Sequence, residues 1–144
     1  MKYSDARVLS IDGDERARDW IRATLFGSGV DCDVTSASRG REAFSLLNQR
    51  DFDLCIIEYA LPDMTGVQLC SLIRQVRNNI PVLFFTAMDR SIDREKAMAA
   101  GATDYLCKPQ DLEVFADAVA HQLSKRQRRV IGQNVSYMNL ARAA

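Results

Sequence analysis

Histidine is nearly absent from this sequence: His121 is the only one among 144 residues. The four cysteines, Cys32, Cys55, Cys70 and Cys107, include no C-x-x-C pair, so the spacing of a zinc site is missing. Cys55 and Cys107 fall inside apolar, strand-like runs, where a thiol behaves as a small hydrophobe. Free, mostly buried thiols are therefore expected rather than redox groups. Long apolar runs are lacking too. Stretches such as Pro81-Val82-Leu83-Phe84-Phe85 fall far short of the roughly 18 residues that cross a bilayer. No charged segment followed by an apolar stretch marks a signal peptide, so a cytoplasmic protein without membrane association is expected. There is no glycine-rich phosphate loop, which leaves little support for a small enzyme of unrelated chemistry.

What is present suits one soluble domain. Hydrophobic residues make up 47% and charged residues 26%, enough of each for one core and a solvated surface. The formal charge of zero hides an asymmetry. Lys125, Arg126, Arg128, Arg129 and Arg142 lie in residues 125–144, which contain no acid, so the remainder of the chain is acidic. A cluster this short reads as the solvated end of a helix or a linker more readily than as a nucleic-acid surface. The expected division is a folded domain over 1–124 and a basic helical extension or linker over 125–144. In the latter, Val130, Ile131, Val135 and Met138 could pair between subunits or lead into another domain. No helix-turn-helix pattern follows residue 125, so direct nucleic-acid binding by this chain is not expected.

Short β-branched runs alternate with helical patterns five times, which predicts an α/β fold: a doubly wound, five-stranded parallel sheet with helices on both faces. The predicted strands are Arg7–Ile11, Asp31–Ser36, Leu54–Glu58, Pro81–Thr86 and Asp104–Cys107. Helices are predicted over 15–27, 40–50, 66–78, 92–100 and 111–126. Their apolar stripes repeat every three to four residues: Trp20, Ile21, Leu25 and Phe26 in the first, Leu69, Leu72, Ile73 and Val76 in the third, Leu112, Phe115, Val119 and Leu123 in the last. The fourth helix has only Ile92, Ala97 and Met98 as larger apolar members, so it is expected to be lightly anchored. Gly101 follows it where a left-handed cap is needed.

In an open parallel sheet, ligands gather at the carboxyl ends of the strands. Here those ends carry Asp12-Gly13-Asp14, Glu58, Thr86-Ala87 and Lys108-Pro109. Carboxylates, a hydroxyl and an ammonium converging there suit a divalent cation and a phosphoryl group. Asp14 is better placed as the N-cap of the first helix. Lys108 ends a buried strand and needs a counter-charge, for which Glu58 is the obvious candidate.

Val8-Leu9-Ser10-Ile11-Asp12, Phe52-Asp53-Leu54-Cys55-Ile56-Ile57-Glu58, Leu61-Pro62-Asp63-Met64-Thr65-Gly66, Pro81 to Ala87 and Ala100 to Pro109 resemble the successive motifs of response-regulator receiver domains, over roughly residues 5–124. The resemblance implies a flavodoxin-like, CheY-like fold of strand order 2-1-3-4-5, acting in two-component phosphorelay signalling. It implies Thr86 as the hydroxyl that follows the phosphate, Lys108 as the ion-pairing lysine, Tyr105 as the aromatic switch and Asp12 as one of two metal-binding acids. The second acid falls on Gly13, and the phosphate-accepting aspartate falls on Glu58. Both departures strike the chemistry.

Glutamate's extra methylene moves the nucleophile by more than about 1 Å, a displacement that can cost on the order of 100-fold in rate. The metal ligands left are Asp12, Glu58 and, by resemblance, the backbone carbonyl of Ala60, so no cofactor or at most weakly bound Mg²⁺ is expected. Glu58 could reach Lys108 and Thr86 and partly mimic a phosphoryl group, leaving the domain locked near its active arrangement or released from switching. The leading expectation is a non-enzymatic, phosphorylation-independent module. It would bind a protein partner or itself, as a homodimer, through the face of the fourth helix, fifth strand and fifth helix, a histidine kinase pathway being the setting that the resemblance implies. That face includes Arg90, Arg94, Lys96, Tyr105, Asp111 and Glu113. The alternatives are a receiver still switched at Glu58, at Asp63 or by a ligand, and, further off, an unrelated enzyme on the same fold.

Overall fold

The two central strands bury every residue, and the rest of the fold follows from having to cover both of their faces. A computed structural model describes residues 5–125. In chain order the elements are β1 (Arg7–Ile11), α1 (Glu15–Gly27), β2 (Asp33–Ala37), α2 (Gly40–Gln49), β3 (Leu54–Ile57), α3 (Gly66–Val76), β4 (Val82–Thr86), α4 (Ser91–Ala99) and β5 (Asp104–Cys107). A single 3-10 turn, Leu112–Val114, then leads into a helix, α5, over residues 115–125. All strand pairs are parallel, in the order β2-β1-β3-β4-β5, which is the predicted architecture. Apart from Lys125, the expected basic extension lies outside the described residues.

Side chains alternate across a strand, so the sheet sorts its apolar residues into two cores. Leu9, Ile11, Cys55, Ile57 and Phe84 pack with Ala43, Leu47, Leu69, Cys70, Ile73 and Ala97 of α2, α3 and α4. Val8, Leu54, Ile56, Leu83, Phe85 and Leu106 pack with Ile21 and Leu25 of α1 and Phe115, Val119 and Leu123 of α5. Strands buried on both faces explain why β3 and β4 read as unbroken apolar runs rather than alternating ones.

The helix ends are specified locally. Asp14 caps α1 as predicted, accepting the Arg16 N–H. Thr65 and Gln68 form a reciprocal capping box on α3. Gly101 takes φ 108° after α4, the left-handed cap expected of it. The Arg74 guanidinium grips its carbonyl at 2.6 and 2.9 Å.

Several boundaries and burials differ from the sequence reading. β2 begins at Asp33 rather than Asp31, β3 stops at Ile57 so that Glu58 leaves the strand, and β4 begins at Val82. Phe26 is 87% exposed: it sits about 100° round the helix from Leu25, off the stripe that Ile21 and Leu25 define. Val76 at the end of α3 and Leu112 are also exposed. Leu112 lies in the 3-10 turn, whose three-residue period breaks the phase of the stripe that begins at Phe115. On α4, Ile92 and Met98 point to solvent, and the residues buried are Ala97 and Asp93.

The cysteines are free, as expected. Burial pushes the Cys55 thiol up to about 12, and burial followed by the Asp31 and Asp33 charges pushes Cys32 up to about 11, so neither supplies thiolate near neutrality. Among the described residues no helix is long and apolar enough to cross a membrane.

Two substitutions separate stripe from surface. Phe26→Ser should leave stability within about 0.5 kcal/mol of the natural protein, whereas Phe115→Ala should cost about 3–5 kcal/mol. Urea denaturation of the two variants measures both.

Candidate functional site

The backbone ladder delivers four of the side chains singled out in the sequence to one edge of the sheet. Ile11 pairs with Ile57, Ile57 with Phe84, and Thr86 with Cys107. The ladder continues one residue further: Glu58 N–H donates to the Ile11 carbonyl at 2.9 Å and Lys108 N–H to the Thr86 carbonyl at 2.8 Å. Asp12, Glu58, Thr86 and Lys108 therefore leave the carboxyl ends of β1, β3, β4 and β5 side by side.

The Lys108 ammonium lies 3.1 Å from Asp12 Oδ2 and 3.1 Å from Glu58 Oε2, and 4.9 Å from the centre of the Phe85 ring. Its burial alone would lower its pKa. The charges of Asp12 and Glu58, with the hydrogen bonds to both, outweigh this and hold it above the ordinary lysine value. Asp12 is committed on its other oxygen as well, which accepts the Asp14 N–H at 2.9 Å.

Glu58 Oε1 accepts the Tyr59 N–H at 2.8 Å and the Thr86 hydroxyl. The Thr86 oxygen in turn accepts the Met88 N–H at 3.1 Å, and the Met88 carbonyl accepts the Tyr105 hydroxyl at 2.6 Å. A continuous hydrogen-bonded path thus runs from Glu58 to Tyr105. Tyr105 is turned inward and 2% exposed, with Phe84 stacked 5.7 Å from it and the Arg94 guanidinium 5.8 Å over its ring. Burial first, and the Asp93 carboxylate second, hold its phenol well above the ordinary value.

In this arrangement the candidate Mg²⁺ donors are engaged with a counter-charge, the Lys108 ammonium. The ion needs near-octahedral oxygen donors, and the two inward carboxylate oxygens face an ammonium instead. Gly13 contributes no side chain, and a Cβ there would meet the Pro62 ring at 3.1 Å. Ala60, the expected carbonyl donor, is exposed, and the bonds of its isolated bridge to Thr65 run from Leu61 N–H to the Met64 carbonyl and from Gly66 N–H to the Tyr59 carbonyl. Among the described residues no three His, Cys, Asp or Glu side chains gather as a metal site.

Asp63, the other candidate acceptor, has a structural task. Its two oxygens accept the N–H groups of Gly40 and Arg41 at 2.8 and 3.0 Å, capping α2 from the β3–α3 loop. The Arg41 N–H bond is the main cause holding its carboxyl below the usual range. This cap was not foreseen, because the local position, Arg39, offers no capping group and the partner lies 23 residues away. Also unforeseen were Arg18, whose guanidinium braces the Asp12 carbonyl at 2.6 Å, and the backbone of Met88. Asp111, expected on an interaction face, is turned inward to accept the Cys107 N–H at 2.8 Å.

A doubly wound sheet with acids, a hydroxyl and a lysine at its carboxyl edge has the arrangement expected of a receiver domain. The profile of the response regulator receiver domain family matches residues 8–120, and the chain belongs to that family. It is 32% identical over 119 residues to the uncharacterized transcriptional regulatory protein YrkP of Bacillus subtilis, covering 83% of this chain and 50% of the relative. It is 33% identical over 107 residues to the response regulator MprA of Mycolicibacterium vanbaalenii, covering 74% and 46%. The chain spans about half the length of the curated relatives it matches. Among solved structures, the receiver domain of the Francisella response regulator 1452 superposes with a TM-score of 0.76 at 26% identity, covering 84% of this chain and 98% of that one. A putative response regulator from Chloroflexus aurantiacus gives 0.76 at 28%, covering 83% and 98%.

Removing the central cation leaves two mostly buried carboxylates facing each other. Lys108→Met should therefore destabilise the fold by about 3 kcal/mol at neutral pH, the low end for a broken buried pair. Because the folded-state pKa of Lys108 is raised above 10.5, its stabilisation is complete below that value and is lost as pH rises through the folded one. Urea midpoints measured across alkaline pH should fall more steeply in the natural protein than in Lys108→Met, because the raised thiols of Cys32 and Cys55 and the raised Tyr105 phenol destabilise both proteins alike.

Proposed function

We propose that this chain is a non-enzymatic receiver module that signals by protein contact without being phosphorylated, with Glu58 standing where relatives would carry a phosphoryl group. The observation that supports this most is the path Glu58–Thr86–Met88–Tyr105. In a switchable receiver, Thr86 and Lys108 would be the groups that meet phosphate oxygens. Here the carboxylate of Glu58 already engages both, and the aromatic switch position is already inward.

The mimicry is electrostatically incomplete. A phosphoryl group brings about −1.5 to −2 charge and three acceptor oxygens, against one charge and two oxygens for a carboxylate. The longer side chain offsets this by reach, since each of its oxygens finds a donor: Thr86 and Tyr59 for one, Lys108 for the other. This favours the locked arrangement over the merely released one. As a nucleophile the same carboxylate is poorly placed. Both oxygens are occupied by donors, and the acid that would complete a metal site is replaced by Gly13. Mg²⁺ binding is proposed to be weak or absent.

Output is assigned to the face of α4, β5 and α5, where Arg90, Arg94, Lys96 and Glu113 are exposed. Mixed charge there suits a protein partner or a second copy of the chain. Input would come from a histidine kinase pathway that this module contacts without accepting its phosphate. The relatives named as transcriptional regulators are longer proteins, and DNA contact is not assigned to the described residues.

Intact-mass spectrometry after incubation with a small acyl phosphate and Mg²⁺ tests the reading. The natural protein should gain no phosphoryl group, while a Glu58→Asp, Gly13→Asp double variant should gain one. A phosphoryl group on the natural protein would make it a working switch and end this interpretation.

A further inference from the structure

Tyr105 depends on the carbonyl of Met88, and Met88 belongs to a four-residue loop, Ala87 to Arg90, between β4 and α4. One end of that loop is tied to the site through Thr86, whose oxygen holds the Met88 N–H. The other end is tied separately. The Arg90 guanidinium lies across the Asp93 carboxylate, Nε to Oδ2 and Nη2 to Oδ1, both at 3.0 Å. The Arg90 carbonyl also accepts the N–H groups of Asp93 and Arg94 at 3.1 and 3.3 Å.

The burial of this pair is one-sided. The Asp93 side chain is 2% exposed, whereas that of Arg90 is 67% exposed. An acid in the first turn of a helix is favoured by the dipole even when it faces water, so the dipole alone does not explain why Asp93 points inward. α4 buries so little apolar surface that an inward carboxylate has to be held by a partner, and Arg90 supplies a two-point one. Asp93 also lies close enough to Tyr105 to be the second cause, after burial, of that phenol's raised pKa. The carboxylate, the loop and the ring therefore meet in one place.

We propose that Arg90 and Asp93 form a positioning latch: by fixing the far end of the β4–α4 loop they hold the Met88 carbonyl over Tyr105, so the inward state does not rest on Glu58 alone. The latch rests on the functional reading above only in taking inward Tyr105 as the signalling state. Two anchors on one carbonyl explain how a carboxylate, weaker than a phosphoryl group, is enough to keep the ring in.

The test uses the full chain labelled with fluorotyrosine, the Tyr105 resonance being assigned with Tyr105→Phe, and fluorine NMR combined with amide exchange of the loop. In Asp93→Asn, with Glu58 intact, loop exchange should rise by about tenfold. A second Tyr105 resonance should also appear, at a population of about 10% or more. Arg90→Gln should do the same while substituting only an exposed side chain, which guards against Asp93→Asn failing to fold. Glu58→Gln alone should keep the inward resonance as the major one, and Glu58→Gln with Asp93→Asn should make the outward one dominant. An unchanged Tyr105 resonance in both Asp93→Asn and Arg90→Gln overturns the latch, as does complete loss of the inward resonance in Glu58→Gln alone. The functional reading fails separately, if Glu58→Gln has no effect on Tyr105 in either background.

Discussion

A lysine ammonium at the end of a buried strand has to be neutralised, and the site is organised around that requirement. Lys108 follows β5 directly, so its charge is delivered to the sheet edge whether or not a ligand is there. Asp12 and Glu58, the residues that follow β1 and β3, are the acids within reach, and both lie 3.1 Å from it. Once one Glu58 oxygen is fixed on Lys108, the other falls beside Thr86 and the Tyr59 N–H. Thr86 then sets Met88, and Met88 sets Tyr105. A chain of hydrogen bonds thereby connects the ring of Tyr105 in the core with the partly buried charge of Lys108 at the sheet edge.

Under the proposed function, the two positions read as departures from the receiver pattern, Gly13 and Glu58, fit together. A carboxylate in place of an absent second acid would add negative charge beside Asp12 and Glu58, which share one ammonium. Gly13 avoids it. On the same reading a weak metal position removes the energetic case for keeping Glu58 free as a nucleophile, and both of its oxygens are engaged in hydrogen bonds. The family membership itself does not depend on these details, since it rests on the matched span from residue 8 to 120 and on the sheet order.

Legibility from sequence followed the range of the interactions. Alternating β-branched and amphipathic stretches were enough for the five strands and their helices, and the ends of those strands were enough to bring Asp12, Glu58, Thr86 and Lys108 together. Residues whose role depends on a distant backbone were not visible. Asp63 caps a helix it does not adjoin, Arg18 grips a carbonyl, and Met88 acts through its amide and carbonyl, which leave no trace in side-chain pattern. Phe26 and Asp93 are opposite failures of one rule: an aromatic one step off the stripe faces water, and an acid inside a weak stripe is buried because a neighbouring arginine holds it. Nothing in the sequence chose between a locked and a released receiver, because the choice depends on where a single glutamate oxygen lies.

The most direct test of the central claim is a double-mutant cycle between Glu58→Gln and Tyr105→Phe, read from urea denaturation of the four proteins. If the path through Thr86 and Met88 carries the site's state to the ring, the two substitutions should be non-additive by about 0.5 kcal/mol or more, as for members of one hydrogen-bonded network. Additive effects would mean that Tyr105 is inward for reasons unconnected with Glu58, and the account of Glu58 as a built-in substitute for the phosphoryl group would be contradicted.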